Sequence, residues 1–305
     1  MNSVKLINSN YNYYPNTMIG LCNASYLDDP TDINNAVNAL GLGVVWGPVS
    51  LVDWIGISYS LMFVAANPTT GEYTVVIRGT NPISLSSWLE EDFDVEYTEP
   101  FTDFVPNAPA NAMLSQASYN GLSDLLSMND PVKGSLETFI TNAKYTNLYV
   151  TGHSLGGTLT PAMFAYLNYL TNGGKWVSNM ACWSFAGLTS GNNFFAEYWN
   201  SLSNPQFAWR IHNPLDIAPF LFYSQTDVQN IYDAYGFPWT SLNLPLRTMI
   251  DSLFYLAEGN DYTQPVGDQQ LAAIFSINFD AWDEQAFYQH HVSTYLSLVE
   301  LFYPM

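Results

Sequence analysis

Residues 148–170 constrain this chain more than any other stretch. Leu148-Tyr149-Val150 is a short apolar run of the kind that forms a buried strand, and Leu159 to Leu170 reads as an apolar helix, with Pro161 early enough to sit in a first turn. Between them lies a Gly-rich turn, Thr151 to Gly157, in which Gly152-His153-Ser154-Leu155-Gly156 fits the pattern G-x-S-x-G. The pentapeptide alone says little, since a chain of this composition yields one by chance about one time in ten. Its position between a strand and a helix is what matters. A turn that sharp forces the serine into a strained backbone conformation and pushes its hydroxyl out of the sheet. Glycines are needed on both sides because side chains there would collide with the neighbouring strand and helix. A plain Gly-rich turn is the alternative, and the flanks argue against it.

A serine hydroxyl is a poor nucleophile by itself. It needs an imidazole base, and the base needs a carboxylate to fix its tautomer. On a strand–turn–helix scaffold of this kind the partners follow in the order Ser, acid, His. There are four histidines. His153 adjoins the serine and is expected to point the other way, and His212 precedes the expected acid. His290 and His291 remain, late in the chain. They could also be surface residues or a metal pair, but no third ligand is evident. The acid is expected in a loop after a strand. Phe207 to His212 is that strand, and Asn213-Pro214-Leu215-Asp216 that loop, which makes Asp216 the candidate. A tetrahedral intermediate needs at least two donors for its oxyanion. The backbone N–H of Leu155 is one, and Thr80, after the strand ending Val75-Val76-Ile77-Arg78-Gly79, is the other.

The remaining sequence supports a single α/β domain over 1–305 with a mostly parallel central sheet and helices on both faces. Met18 to Leu27 reads as a short helix. Asp32 is expected to cap the helix carrying Ile33, Val37 and Leu40; calcium binding by Asp28, Asp29 and Asp32 is the alternative. Ile57 to Ala66 and Glu72 to Ile77, joined by Asn67-Pro68-Thr69-Thr70-Gly71, read as an antiparallel hairpin. Asn81 to Pro109 reads as a long decorated loop with a short helix near Ser86 to Glu91. Ala112 to Leu126 and Leu136 to Ala143 look helical, and Met180 to Phe185 looks like a further strand. Phe220 to Pro265 is an aromatic-rich insertion, and Asp283 to Phe302 reads as one closing helix.

Composition excludes several partners. Seven Lys+Arg stand against 27 Asp+Glu, a net charge of -20, so phosphate backbones and anionic membranes are repelled. No run of 18 apolar residues is present, so no transmembrane segment is expected. The first residues show no apolar signal core. Cys22 and Cys182 make no metal motif; a bridge between them and two free buried thiols both stay open.

Several separated motifs, in order, resemble the class 3 lipases, the group typified by the fungal triacylglycerol lipases. The resemblance runs from about Ser58 to Tyr295. It rests on Val75 to Thr80, Ser87-Trp88, Val150 to Gly157, Phe185-Ala186-Gly187 through Phe195-Ala196, Arg210 to Pro219, and His291 with Tyr295. Departures are the lack of His and Phe around Leu114 to Leu122, a longer spacing from Arg78 to Trp88, and the large insertion near 220–265.

The resemblance implies an α/β-hydrolase fold and a serine carboxylic-ester hydrolase acting on acylglycerols without a cofactor or metal. Its triad would be Ser154, Asp216 and His291, with Thr80 and Leu155 as oxyanion hole. His291 is preferred to His290 because its spacing to Tyr295 puts both on one face of a continuous helix. A lid is expected near 82–105, where Trp88 and Phe93, with Phe101, Phe104 and the aromatic insertion, would line an acyl groove or else pack as ordinary core. The substrate would be a lipid or other ester, met at a lipid–water interface. Phospholipase A1, feruloyl-type or polyester hydrolysis are alternatives within the class. An inactive binding module on a hydrolase scaffold is the alternative outside it. Low Lys content and the resemblance favour secretion; the absence of a visible signal favours the cytoplasm.

Overall fold

The structure is a computed structural model that describes residues 15–52, 58–79, 94–172, 177–202 and 208–303. A helical pair, α1 (Pro15–Ser25) and α2 (Pro30–Ala39), precedes strands β1 (Gly43–Val52), β2 (Ser58–Ala66) and β3 (Glu72–Ile77). Then come α3 (Gln116–Ser127), α4 (Leu136–Asn142), β4 (Asn147–His153), α5 (Leu155–Leu170), β5 (Asn179–Phe185), α6 (Asn193–Leu202) and β6 (Ala208–His212). The chain closes with α7 (Leu244–Ala257), β7 (Asp268–Gln270), α8 (Trp282–His290) and α9 (Val292–Phe302).

The seven strands lie in the sheet in chain order. β1, β2 and β3 pair antiparallel; β3 through β7 pair parallel. The sheet is therefore mixed, with parallel pairing across the part that carries the site. Side-chain alternation sorts the core into two faces. Val75, Ile77, Leu148 and Val150 pack with α5 on one face, and Val76, Tyr149 and Trp183 pack with α1 and α9 on the other. A third cluster gathers the insertion: Tyr232, Leu246, Ile250 and Leu253 pack with Leu215 and Ile217 of the acid loop and with Trp282 and Ala286 of α8.

Local structure departs from expectation at several points. Asp29, not Asp32, caps α2: its carboxylate accepts the Thr31 N–H at 2.6 Å, and Pro30 takes the first helical position. α5 begins at Leu155, so Pro161 lies in its second turn. The carbonyl that Pro161 leaves without its helical donor is that of Gly157, and the Ser184 hydroxyl donates to it at 2.8 Å. Phe101 is fully buried against Phe195, ring centroids 5.1 Å apart, so it is core and not groove lining; Phe104 tilts onto Tyr119 at 4.8 Å. The large rings Tyr232 and Trp282 are likewise buried. The expected lid helix, Trp88 and Phe93 lie outside the described residues. Cys22 and Cys182 are free buried thiols. Among the described residues no helix is long and apolar enough to cross a membrane.

Candidate active site

Parallel pairing brings the carboxyl ends of β3 to β7 to one edge of the sheet, and the site lies there. Ile77 is in register with Gly152, so the chain leaving β3 runs beside the turn that leaves β4. In that turn Ser154 has φ 61 and ψ -126, a region hostile to a side chain, and its N–H donates to the Phe185 carbonyl at 3.0 Å. The glycines make the turn possible. A Cβ at Gly152 would meet the Gly156 carbonyl, one at Gly156 the Ile77 carbonyl, and one at Gly157 the Phe185 carbonyl. All three are backbone contacts that cannot swing aside. Gly79 is equally crowded, since its Cβ would lie 2.8 Å from Cβ of Ser154.

The acid comes from the loop after β6. Asp216 is fully buried, which costs free energy unless its oxygens are satisfied. The Ala218 N–H donates to Oδ1 at 2.9 Å and the Tyr295 hydroxyl to Oδ2 at 2.7 Å. The loop is held by Asn213, whose side chain donates to Gln289 Oε1 at 2.7 Å and accepts the Leu215 N–H at 3.1 Å.

The imidazole that joins acid and nucleophile belongs to His290. Its Nε2 lies 2.7 Å from Ser154 Oγ, and its Nδ1 lies 3.0 Å from Asp216 Oδ2 and 3.1 Å from Oδ1. With Nδ1–H directed at the carboxylate, Nε2 is the acceptor for the serine proton.

His291, the residue expected from the sequence, is not brought to Ser154. It is exposed, and its Nδ1 accepts the Ser293 N–H at 3.2 Å as the N-cap of α9. The physical reason is a break. His291 has φ -64 and ψ 140, so the expected single closing helix is two helices, and four-residue spacing from Tyr295 does not carry across the junction. The only sequence hint of that break is a Ser two residues after His291, a weak capping signal. His153 turns to Tyr26, whose hydroxyl lies 2.8 Å from its Nδ1, and burial, then the neighbouring His290, hold its pKa well below the usual histidine value. His212 Nδ1 lies 3.0 Å from Asp268 Oδ1, away from the site. Leu155 is the first residue of α5, so its N–H has no helical acceptor and is free for an oxyanion. Thr80 lies outside the described residues; Gly79, just before it, packs against the nucleophile. Among the described residues no three His, Cys, Asp or Glu side chains gather as a metal site.

The arrangement has the parts of an acyl-transfer site: a buried carboxylate, an oriented imidazole, a strained serine and a helix N-terminus beside it. A sequence profile of the lipases of class 3 matches residues 74–226, half of the chain. No curated protein matches it. Among solved structures, the M37 lipase is 24% identical with a TM-score of 0.76, over 93% of this chain and 91% of that one. A fungal lipase is 15% identical with a TM-score of 0.53, over 88% and 82%. The LIP2 lipase of Yarrowia lipolytica is 17% identical with a TM-score of 0.52, over 67% and 72%. At such identities these likenesses are of fold.

Proposed function

The chain belongs to the class 3 lipases, a family of ester hydrolases, and from that premise we propose that it cleaves acylglycerol esters through Ser154, His290 and Asp216. Ser154 Oγ attacks the ester carbonyl as His290 Nε2 takes its proton. Asp216 keeps the imidazole in the required tautomer and stabilises the imidazolium. The Leu155 N–H and Thr80 receive the oxyanion. His290 returns the proton to the departing alcohol, and water then releases the acid by the same steps reversed in role. The carboxylate product leaves a molecule of net charge -20, which favours its departure.

One observation carries this reading: the unbroken chain Ser154–His290–Asp216, with contacts of 2.7 and 3.0 Å. A scaffold kept only for binding has no use for it. The uncharged ester surface of an emulsion is the substrate form that the acidic composition admits, and an extracellular enzyme fits that substrate.

The test is hydrolysis of p-nitrophenyl esters from short to long acyl chains, with and without emulsified triglyceride, by wild type and Ser154→Ala. Long-chain cleavage and triglyceride turnover that vanish in the variant are expected. Preference for short soluble esters would make it an esterase. No turnover by wild type, together with no labelling of Ser154 by a phosphonate, would leave an inactive binding module.

A further inference from the structure

Tyr26 stands at the end of α1, far in sequence from any residue of the triad, yet its hydroxyl reaches the site. The oxygen lies 2.8 Å from His153 Nδ1. It also lies against Gly79, where a Cβ would come 2.6 Å from it and 2.8 Å from Cβ of Ser154. Gly79 is thus wedged between the Tyr26 hydroxyl and the nucleophile. On the other side the His153 ring sits 5.2 Å, centroid to centroid, from the His290 ring and 5.2 Å from that of Tyr295. One phenol oxygen therefore touches the segment leading to Thr80 and, through one imidazole, the residue that carries the base.

We propose that Tyr26 is a positioning residue for ester hydrolysis, holding the Gly79 segment and, through His153, the imidazole of His290 in register with Ser154. The inference rests on the ester-hydrolase reading above.

The directions of the hydrogen bonds are consistent. With Nδ1 as the acceptor, the phenol O–H donates to His153 across 2.8 Å. That assigns the His153 proton to Nε2. Nε2 is buried with no hydrogen-bond partner among the described residues. His153 is held neutral first by burial, then by His290, and the Tyr26 phenol is likewise kept un-ionised by burial. Neither residue therefore adds a charge beside the nucleophile; both act by geometry. Arg78, buried beside this segment with its Nη1 4.0 Å from Asp28, ties the same strand end to the α1–α2 junction.

Tyr26→Phe removes the oxygen and keeps the ring. The experiment measures kcat and KM on p-nitrophenyl butyrate for wild type, Tyr26→Phe, His153→Asn and the double variant, with a thermal melt of each. The expected result for Tyr26→Phe is a kcat lower by on the order of tenfold with KM within about twofold, since a small misplacement of reacting groups costs rate and not binding. The melting temperature stays within a few degrees. The double variant is no slower than the slower single one, because the His153 contribution runs through the Tyr26 hydroxyl. A phosphonate should inactivate Tyr26→Phe more slowly in the same proportion. Wild-type kcat in Tyr26→Phe, or rate losses that multiply in the double variant, would overturn the inference while leaving the ester-hydrolase reading intact. A kcat loss that only follows a collapsed melting temperature would overturn it too. An inactive wild type would overturn both.

Discussion

Replacing His290 or His291 by Ala separates two neighbours that the sequence alone does not distinguish. His290 is the only described residue placed to take the Ser154 proton. His153 is engaged with Tyr26, His212 faces Asp268, and His291 caps α9. Without the His290 ring, Ser154 Oγ has no base at hydrogen-bond distance, and Asp216 keeps only the Ala218 N–H and the Tyr295 hydroxyl. Loss of both general base and general acid should lower kcat by at least about 10⁴-fold, which is about 5.4 kcal/mol of transition-state stabilisation. His291→Ala removes one exposed cap. It should cost about 1 kcal/mol of stability, a fall of about 2 °C in melting temperature, and leave kcat within about twofold. The assay is the initial rate on p-nitrophenyl butyrate at pH 8, normalised by melts showing both variants folded. A His291→Ala variant that loses four decades while His290→Ala keeps its rate would refute the geometry on which the mechanism stands.

Two further outcomes follow from buried or strained groups. Ser154 at φ 61 stores backbone strain of about 1–3 kcal/mol, so Ser154→Gly should be as inactive as Ser154→Ala but melt about 2–5 °C higher; an equal or lower melt would remove the strain argument. His153 has a folded pKa well below its unfolded value of about 6.5, so only the unfolded chain takes up that proton as pH falls. Its contribution to stability is full above about pH 6.5 and drains away below it. Between pH 7.5 and 5.5 wild type should lose about 1.4 kcal/mol more than His153→Asn in denaturant titrations; parallel losses would show that His153 titrates alike in both states.

What was legible in the sequence was what local sterics decide. Three glycines around Ser154 and the strand–helix switch announce a turn with one purpose, and the apolar neighbours of Asp216 announce a buried carboxylate. The base was legible only to within one residue. Helical spacing from Tyr295 assumes an unbroken helix, and nothing in Gln289-His290-His291-Val292 forbids one; tertiary packing of α8 on the insertion and of α9 on α1 sets the break. β1 was missed because its Gly47-Pro48 and register irregularities disturb the alternation that marks a strand. β7 was missed because Asp268-Gln269-Gln270 is polar and short, as an edge strand is free to be. The aromatic insertion pointed to a groove because aromatic content does not say which rings face each other. Phe101 of the expected groove and Tyr232 of the insertion face inward. Tyr26 gave no signal at all, since its partners lie more than fifty residues away.

The division of the core has a consequence for how this molecule wears out. Ser154 is mounted on the central sheet, but Asp216 and His290 are mounted on the third cluster: Leu215 and Ile217 flank the acid, and Trp282 and Ala286 lie on the helix that ends at the base. The reactive trio thus draws on two core clusters, one on the sheet and one built around the 220–257 helices. Cooperative units of a protein open at different free energies. If the smaller cluster loosens first on warming, the acid and base drift from the serine while the sheet stays intact. Heat inactivation of such an enzyme is then a dislocation within the fold, reached at a lower temperature than its melting, and hardening the insertion is the way to raise the temperature at which it works.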